Sequence, residues 1–169
     1  SAASDVYKRQ VQWYYELRLD MDRKQKELDA RIGKKIRDME FPDANGITRR
    51  LSSFIPKNGY LYIDLWSSAC APCIAEFPEL EKTYSQYKEK GLDILLISID
   101  KSMDDFQAAM KKYQIKFTSL IDTTEGEKVK ENFPFSGIPH GILINSNGEI
   151  VANQLHNMLL KQRLEELIR

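Results

Sequence analysis

The chain has 169 residues, 42% of them hydrophobic and 30% charged, with 25 Lys plus Arg set against 25 Asp plus Glu. This composition excludes a disordered chain, which would be poorer in apolar side chains and carry a large net charge. A charge balance of zero also leaves no summed field to draw nucleic acid or an acidic membrane surface as the main partner.

Apolar runs such as 94–97 and 142–144 fall far short of the roughly 18 residues that a bilayer span requires. No membrane span is expected within the chain. Ser1 is preceded by no initiator Met and no signal-like segment, so a mature form or a fragment is expected, with targeting or anchoring signals lying elsewhere.

Residues 1–32 hold no Gly or Pro and are rich in Gln, Glu, Lys, Arg and Asp, which predicts one long helix. Tyr7, Tyr14, Met21 and Leu28 recur every seven residues, and Val11 and Ile32 fall four after members of that series, while Arg18 and Gln25 interrupt the second seam position. At about 1.5 Å per residue such a helix would extend roughly 45 Å, longer than a domain of this size needs. It reads as a connector or docking helix, with packing on its own domain and a coiled-coil dimer as the other readings. Gly33 ends the stretch, and the expected division is an extension or linker over 1–34 and one folded domain over 35–169.

From Met39 the pattern changes to short apolar runs. Segments 39–42 and 47–51 flank Asp43-Ala44-Asn45-Gly46, a hairpin-turn signal, and so predict two short strands. Residues 60–66 predict a buried strand, 71–90 a helix with Ile74, Phe77, Leu80, Tyr84 and Tyr87 at helical spacing, and 92–99 a second strand. A helix over 104–113 follows, with Phe106, Ala109, Met110 and Tyr113 inward, then a strand over 117–121. That βαβαβ alternation argues for parallel pairing through right-handed crossovers. Residues 128–132 make a short helix at best, and 141–144 and 149–152 flank a second Asn-Gly turn and predict an antiparallel pair. A last helix is expected over 159–168 with Leu160, Leu164 and Leu167 on one face.

The chemistry concentrates at the only two cysteines, Cys70 and Cys73, in Cys70-Ala71-Pro72-Cys73. A sulfur at the first position of a helix sits by unpaired N–H groups at the positive end of the helix dipole, which favours thiolate. Cysteines in such settings have pKa values of about 3.5 to 7.5, against about 8.5 for a free thiol. Cys70 would then be the nucleophile and good leaving group, and Cys73, one turn deeper, the resolving thiol. Two other readings compete. A structural staple closing about four residues would contribute only on the order of 2 kcal/mol, and a zinc site would have only His140 and His156 as nitrogen ligands, without the spacing of usual zinc modules.

A carboxylate of raised pKa near the resolving thiol would accept its proton. Asp64 lies in the apolar run Tyr62-Ile63-Asp64-Leu65-Trp66, and Glu76 lies three residues after Cys73 on the same helix. The alternatives are a strand-edge polar residue for Asp64, although a carboxylate between Ile63 and Leu65 is costly to bury without a purpose, and a solvated helix face for Glu76.

With Asp64, Trp66, the Cys-Ala-Pro-Cys motif, Glu76-Phe77-Pro78, then Ser136-Gly137-Ile138-Pro139-His140-Gly141 and Asn147-Gly148-Glu149-Ile150-Val151 in order, residues 35–169 resemble a thioredoxin-like protein. The likeness is greatest to the membrane-tethered TlpA and ResA type of thiol-disulfide oxidoreductase in the bacterial envelope. The resemblance implies an α/β thioredoxin fold, a central mixed sheet flanked by helices, with an N-terminal β-hairpin and the long N-terminal helix added. It implies that Pro139 is cis and that Ile138 pairs backbone to backbone with a bound polypeptide, which suits an extended substrate added as a strand. Asp64 would match the proton-transfer aspartate of thioredoxins and Glu76 the active-site glutamate of the envelope proteins. Trp66, Ala69, Pro72, Ile138 and Pro139 would line the substrate groove.

Implied too are protein disulfide or dithiol substrates, an upstream electron donor, a periplasmic or cell-envelope location, an anchored precursor, and no cofactor beyond the redox-active Cys70–Cys73 disulfide. Two residues depart from the pattern: Ala69 stands where Trp is common, and His140 where Thr is common. His140 could tune Cys70, bind metal, or be a plain surface histidine. The residues before Cys70 lack the Pro and Thr spacing of a peroxidatic loop, which disfavours the peroxiredoxin cousins. The main rival is a copper- or zinc-delivery module using Cys70, Cys73 and His140; a third reading is a scaffold part of a longer lipoprotein, with 1–32 leading to a further N-terminal domain.

Overall fold

The structure, a computed structural model, describes residues 1–168. Helix α1, Ala2–Arg31, opens on a Ser1 hydroxyl that accepts the Ser4 N–H at 3.2 Å. Along it Gln12 pairs with Glu16, Lys24 with Asp20 at 3.0 Å, and Gln25 with Asp29, all at four-residue spacing. Leu28 is its one buried residue. Burying a single leucine stabilises by about 1.5–3 kcal/mol, so α1 docks only by its last turns. There Asn153 Nδ2 donates to the Leu28 carbonyl at 2.9 Å and Arg31 Nε to the Asn132 carbonyl at 3.2 Å.

Strands β1 (Glu40–Pro42) and β2 (Thr48–Arg50) form the expected small antiparallel hairpin. Its turn is held by Asp43, whose Oδ1 accepts the N–H groups of Asn45 and Ile47 at 2.9 and 3.0 Å, and by Gly46 at φ 78°. The main sheet contains β3 (Tyr60–Trp66), β4 (Leu92–Ser98), β5 (Ser119–Ile121), β6 (His140–Asn145) and β7 (Ile150–Leu155), in the order β5-β4-β3-β6-β7. β3, β4 and β5 are parallel, as the alternation predicts, while β6 pairs antiparallel with β3 on one side and β7 on the other.

Because side chains alternate along a strand, β3 divides the interior. Tyr62 and Trp66 belong to a core shared with Cys73, Phe77 and Leu80 of α2 (Ala71–Tyr87), Phe106 of α3 (Met103–Lys112) and Leu160 and Leu164 of α4 (Met158–Leu167). Leu61, Ile63 and Leu65 belong to the opposite core, with Phe41, Leu51, Ile97, Phe133, Ile142 and Ile144. Two apolar residues expected inward are exposed: Tyr113 at 42% and Leu167 at 37%. Tyr113 follows the last residue of α3 and Leu167 is the last of α4, where the surface each helix covers has run out.

The segment leading into the hairpin runs along one edge of the sheet and reaches the other. Gly33 N–H donates to the Ile150 carbonyl at 2.8 Å, Ile150 N–H to Lys34 at 3.0 Å and Ile36 N–H to Gly148 at 2.9 Å. Ten residues on, Asp43 forms a bridge to Leu120 of β5.

Candidate active site

Both cysteines lie where β3 passes into α2. The connecting loop is fixed by Asp100, just beyond β4: its carboxylate accepts the Ser68 N–H at 3.0–3.1 Å and the Ser68 and Ser98 hydroxyls at 2.6 Å each. Cys70 is the N-cap of α2, and its Sγ accepts the Cys73 N–H at 3.3 Å. Pro72 falls in the first turn, where its missing N–H leaves no bond unmade. The two sulfurs form a disulfide with Cα atoms 5.3 Å apart. Cys70 is half-buried beside the exposed Ala69, Ala71 and Pro72, whereas Cys73 is fully buried, its Sγ 4.0 Å from the Leu65 carbonyl. One sulfur can be reached from outside; the other is reached through it.

The face of β3 that carries Tyr62 and Trp66 also carries Asp64, 1% exposed, with Oδ1 lacking any hydrogen-bond partner. Burial, reinforced by the charge of Glu76, holds the Asp64 carboxyl well above the usual carboxylate range. Glu76 is half-buried on α2 and is itself raised by burial, with His156 acting in the other direction. Tyr62 is pushed up by burial and then by Asp64 and Glu76. The expected carboxylate pair is thus coupled at one site, Asp64 lying on the face of β3 whose core also contains Cys73.

Of the predicted groove residues, Ala69 and Pro72 are exposed, and Ile138 and Pro139 are half-buried and joined by a cis peptide bond. Trp66 is not available to a substrate. It is fully buried, packed edge-on against Phe77 at 5.5 Å and tilted against Phe106 at 6.1 Å, and its indole N–H donates to Ser119 Oγ at 3.0 Å. Strand alternation puts it under the site.

His140 is likewise corrected. As the register partner of Leu65 it shares a face with Ile142, away from α2, and lines a small cleft with Leu28, Arg31 and Asn153. Its ring packs on Phe135 at 6.1 Å, Nε2 has no partner, and burial followed by the charge of His156 lowers its pKa to about 4. Among the described residues no group of three or more His, Cys, Asp or Glu is arranged to hold a metal, so the delivery site built from Cys70, Cys73 and His140 is unsupported. Sequence reasoning missed Asp100, Tyr62 and His156. A Ser-x-Asp at a strand end was a usable signal for Asp100; His156 had none.

The family described as AhpC/TSA matches residues 32–153. The thiol-disulfide oxidoreductase ResA of Halalkalibacterium halodurans is 30% identical over 139 residues, covering 82% of this chain and 76% of its own. ResA of Bacillus thuringiensis subsp. konkukian is 27% identical over 144 residues, 85% of this chain and 80% of its own. Among solved structures, the thioredoxin domain of a thiol-disulfide oxidoreductase from Bacteroides vulgatus matches with a TM-score of 0.71 and 28% identity, over 82% of this chain and 98% of that one.

Proposed function

The chain belongs to the AhpC/TSA family and is a thioredoxin-like thiol-disulfide oxidoreductase, and from that premise we propose that it works as a reductase of protein disulfides in the bacterial cell envelope. The observation that carries the reading is the Cys70–Cys73 disulfide itself, with one sulfur at a helix start and accessible, the other buried in the core that also holds Asp64. A structural staple would not need that asymmetry.

In the reducing direction, the Cys70 thiolate attacks a substrate disulfide and forms a mixed disulfide, and one substrate sulfur leaves with the electron pair. Cys73 then gives its proton to a carboxylate and attacks Cys70 Sγ; the Cys70–substrate bond breaks and the second substrate sulfur leaves reduced. Asp64 is the acceptor we assign, with Glu76 beside it. The Ile138-Pro139 segment, with Ala69 and Pro72, would receive an extended substrate strand. No cofactor besides the disulfide is called for, and an upstream thiol donor must return the pair to the dithiol.

The envelope location rests on the named ResA relatives; no helix among the described residues is long and apolar enough to cross a membrane. Residues 1–34 are assigned as an extension or linker to the domain over 35–169, since α1 has one buried residue, Leu28, and docks only by its last turns. Insulin reduction with dithiothreitol tests the activity: wild-type rates no higher than those of Cys70→Ser would overturn it. A glutathione redox titration of the pair tests the direction, a reductase requiring a potential toward the thioredoxin end of the roughly −270 to −120 mV range.

A further inference from the structure

Just beyond β7 the chain turns so that His156 and Asn157 meet Glu76 of α2. Leu155 ends the strand as the register partner of Gly141, and its carbonyl accepts the Tyr62 hydroxyl at 2.8 Å. Gly141 makes that bond possible, because a Cβ there would run into both the Tyr62 hydroxyl and the Leu155 carbonyl. Gln154 and Asn157, neither of them glycine, take φ of 56° and 48°, which is uncommon for residues with a side chain. The turn is anchored by the Tyr62 bond on one side and by Asn157 on the other.

Its two polar side chains meet one atom. His156 Nδ1 stands 3.5 Å from Glu76 Oε1, and Asn157 Nδ2 donates to the same oxygen at 3.3 Å. The side chain of His156 is 45% exposed and that of Glu76 16%, so the pair runs from solvent inward toward Asp64.

We propose that His156 is a positioning residue of the thiol–disulfide site, holding Glu76 by its outer oxygen and deciding how much negative charge stands next to Asp64. This rests on the reading of the Cys70–Cys73 pair given above. When protonated, the His156 imidazole favours the charged form of Glu76; without it Glu76 keeps a proton to higher pH. The proton that Cys73 releases therefore enters a coupled pair whose titration belongs to both carboxyls.

The groups facing Glu76 are Tyr62 and Asp64 from β3 and His156 from the turn, with His140 of β6 within reach of the charge on His156. From α4, Lys161 pairs with Glu79 at 3.0 Å instead. Among the described residues His156 is thus the basic side chain set against Glu76.

The experiment uses the full chain, reduced, with 5,5′-dithiobis(2-nitrobenzoic acid) as the disulfide. Attack by Cys70 releases one thionitrobenzoate and resolution by Cys73 a second, so the two steps are timed separately across pH. In His156→Gln the second phase should move to higher pH by about half a unit to one unit, the effect of losing an opposite charge at short range from a partly buried carboxyl. His156→Lys should restore the wild-type position, and His156→Gln should add nothing in a Glu76→Gln background.

Carboxyl ¹³C shifts of Glu76 should show the same upward move in His156→Gln, which a loss of packing alone would not produce. An unmoved second phase, or one that moves equally in the Glu76→Gln background, overturns the role of His156. Absence of any second release in the wild type overturns instead the thiol–disulfide reading, and the proposal with it.

Discussion

His140 faces Leu65 across the β3–β6 ladder, and that register places an imidazole 5% exposed in an apolar face with Nε2 unpartnered. A neutral ring tolerates this; an imidazolium does not.

Acid should therefore unfold the protein partly through His140. Its folded pKa of about 4 lies below the ordinary 6.5, so the unfolded state binds the proton first. The stabilisation is fully present above pH 6.5 and is lost as pH falls toward 4, by up to about 3 kcal/mol. Urea midpoints measured from pH 7 to 4 should fall less steeply in His140→Phe, and parallel curves would contradict the assignment.

Asp64 has the opposite sign. Its carboxyl is held above the usual range when folded, so its contribution is fully present below the unfolded pKa and is lost as pH rises through the folded titration. Asp64→Asn should then unfold later than wild type at pH 8, by about 1–3 kcal/mol, with the difference shrinking toward pH 4. The same variant should slow the release of substrate from the mixed disulfide, which gel-shift timing of a trapped intermediate would show.

Burial separates the two cysteines in role. Cys73→Ser should accumulate a covalent complex with a disulfide substrate, stable until a reductant is added, because Cys70 remains half-buried and reachable. Cys70→Ser should accumulate none, Cys73 being fully buried. Equal trapping by both variants, seen on non-reducing gels, would reverse the assignment.

Gly141→Ala should be costly although the change is one methyl group. The new Cβ meets backbone at Leu155 as well as the Tyr62 hydroxyl, so the β6–β7 ladder must shift, at about 1–3 kcal/mol. A melting temperature equal to wild type would show that the strands give way freely.

In α1, amides upstream of Leu28 should exchange with solvent far faster than those of β3 and β4. In proteins most helix stability comes from tertiary packing, and among the side chains of this helix Leu28 alone is buried. Protection there matching the sheet would mean that the helix is held by something besides its last turns.

Much of this arrangement could be read from the chain. Residues 60–66 gave β3 to the residue because Gly59 and Ser67 bound a run that is aromatic and aliphatic but for Asp64, and Cys70 at the next helix start followed from it. Asp64 stood out as a carboxylate among apolar neighbours. What failed depended on pairing between distant segments. Trp66 read as a groove residue until alternation from Tyr62 put it beneath α2 and α3, and His140 read as a neighbour of the sulfurs until its pairing with Leu65 fixed the other face. His156 gave no local sign, since its place depends on a tyrosine 94 positions earlier bonding the carbonyl just before it.

The stretch from Gly33 to Asp43, which bonds β7 at one margin of the sheet and bridges β5 at the other, bears on solubility. Bare outer strands invite neighbouring molecules to add on. A protein that binds extended polypeptides is at special risk of pairing with itself, and this stretch occupies backbone positions on both outer strands that such pairing would use. Shortening it would be expected to leave the disulfide chemistry in place and to produce aggregates in which strands add edge to edge.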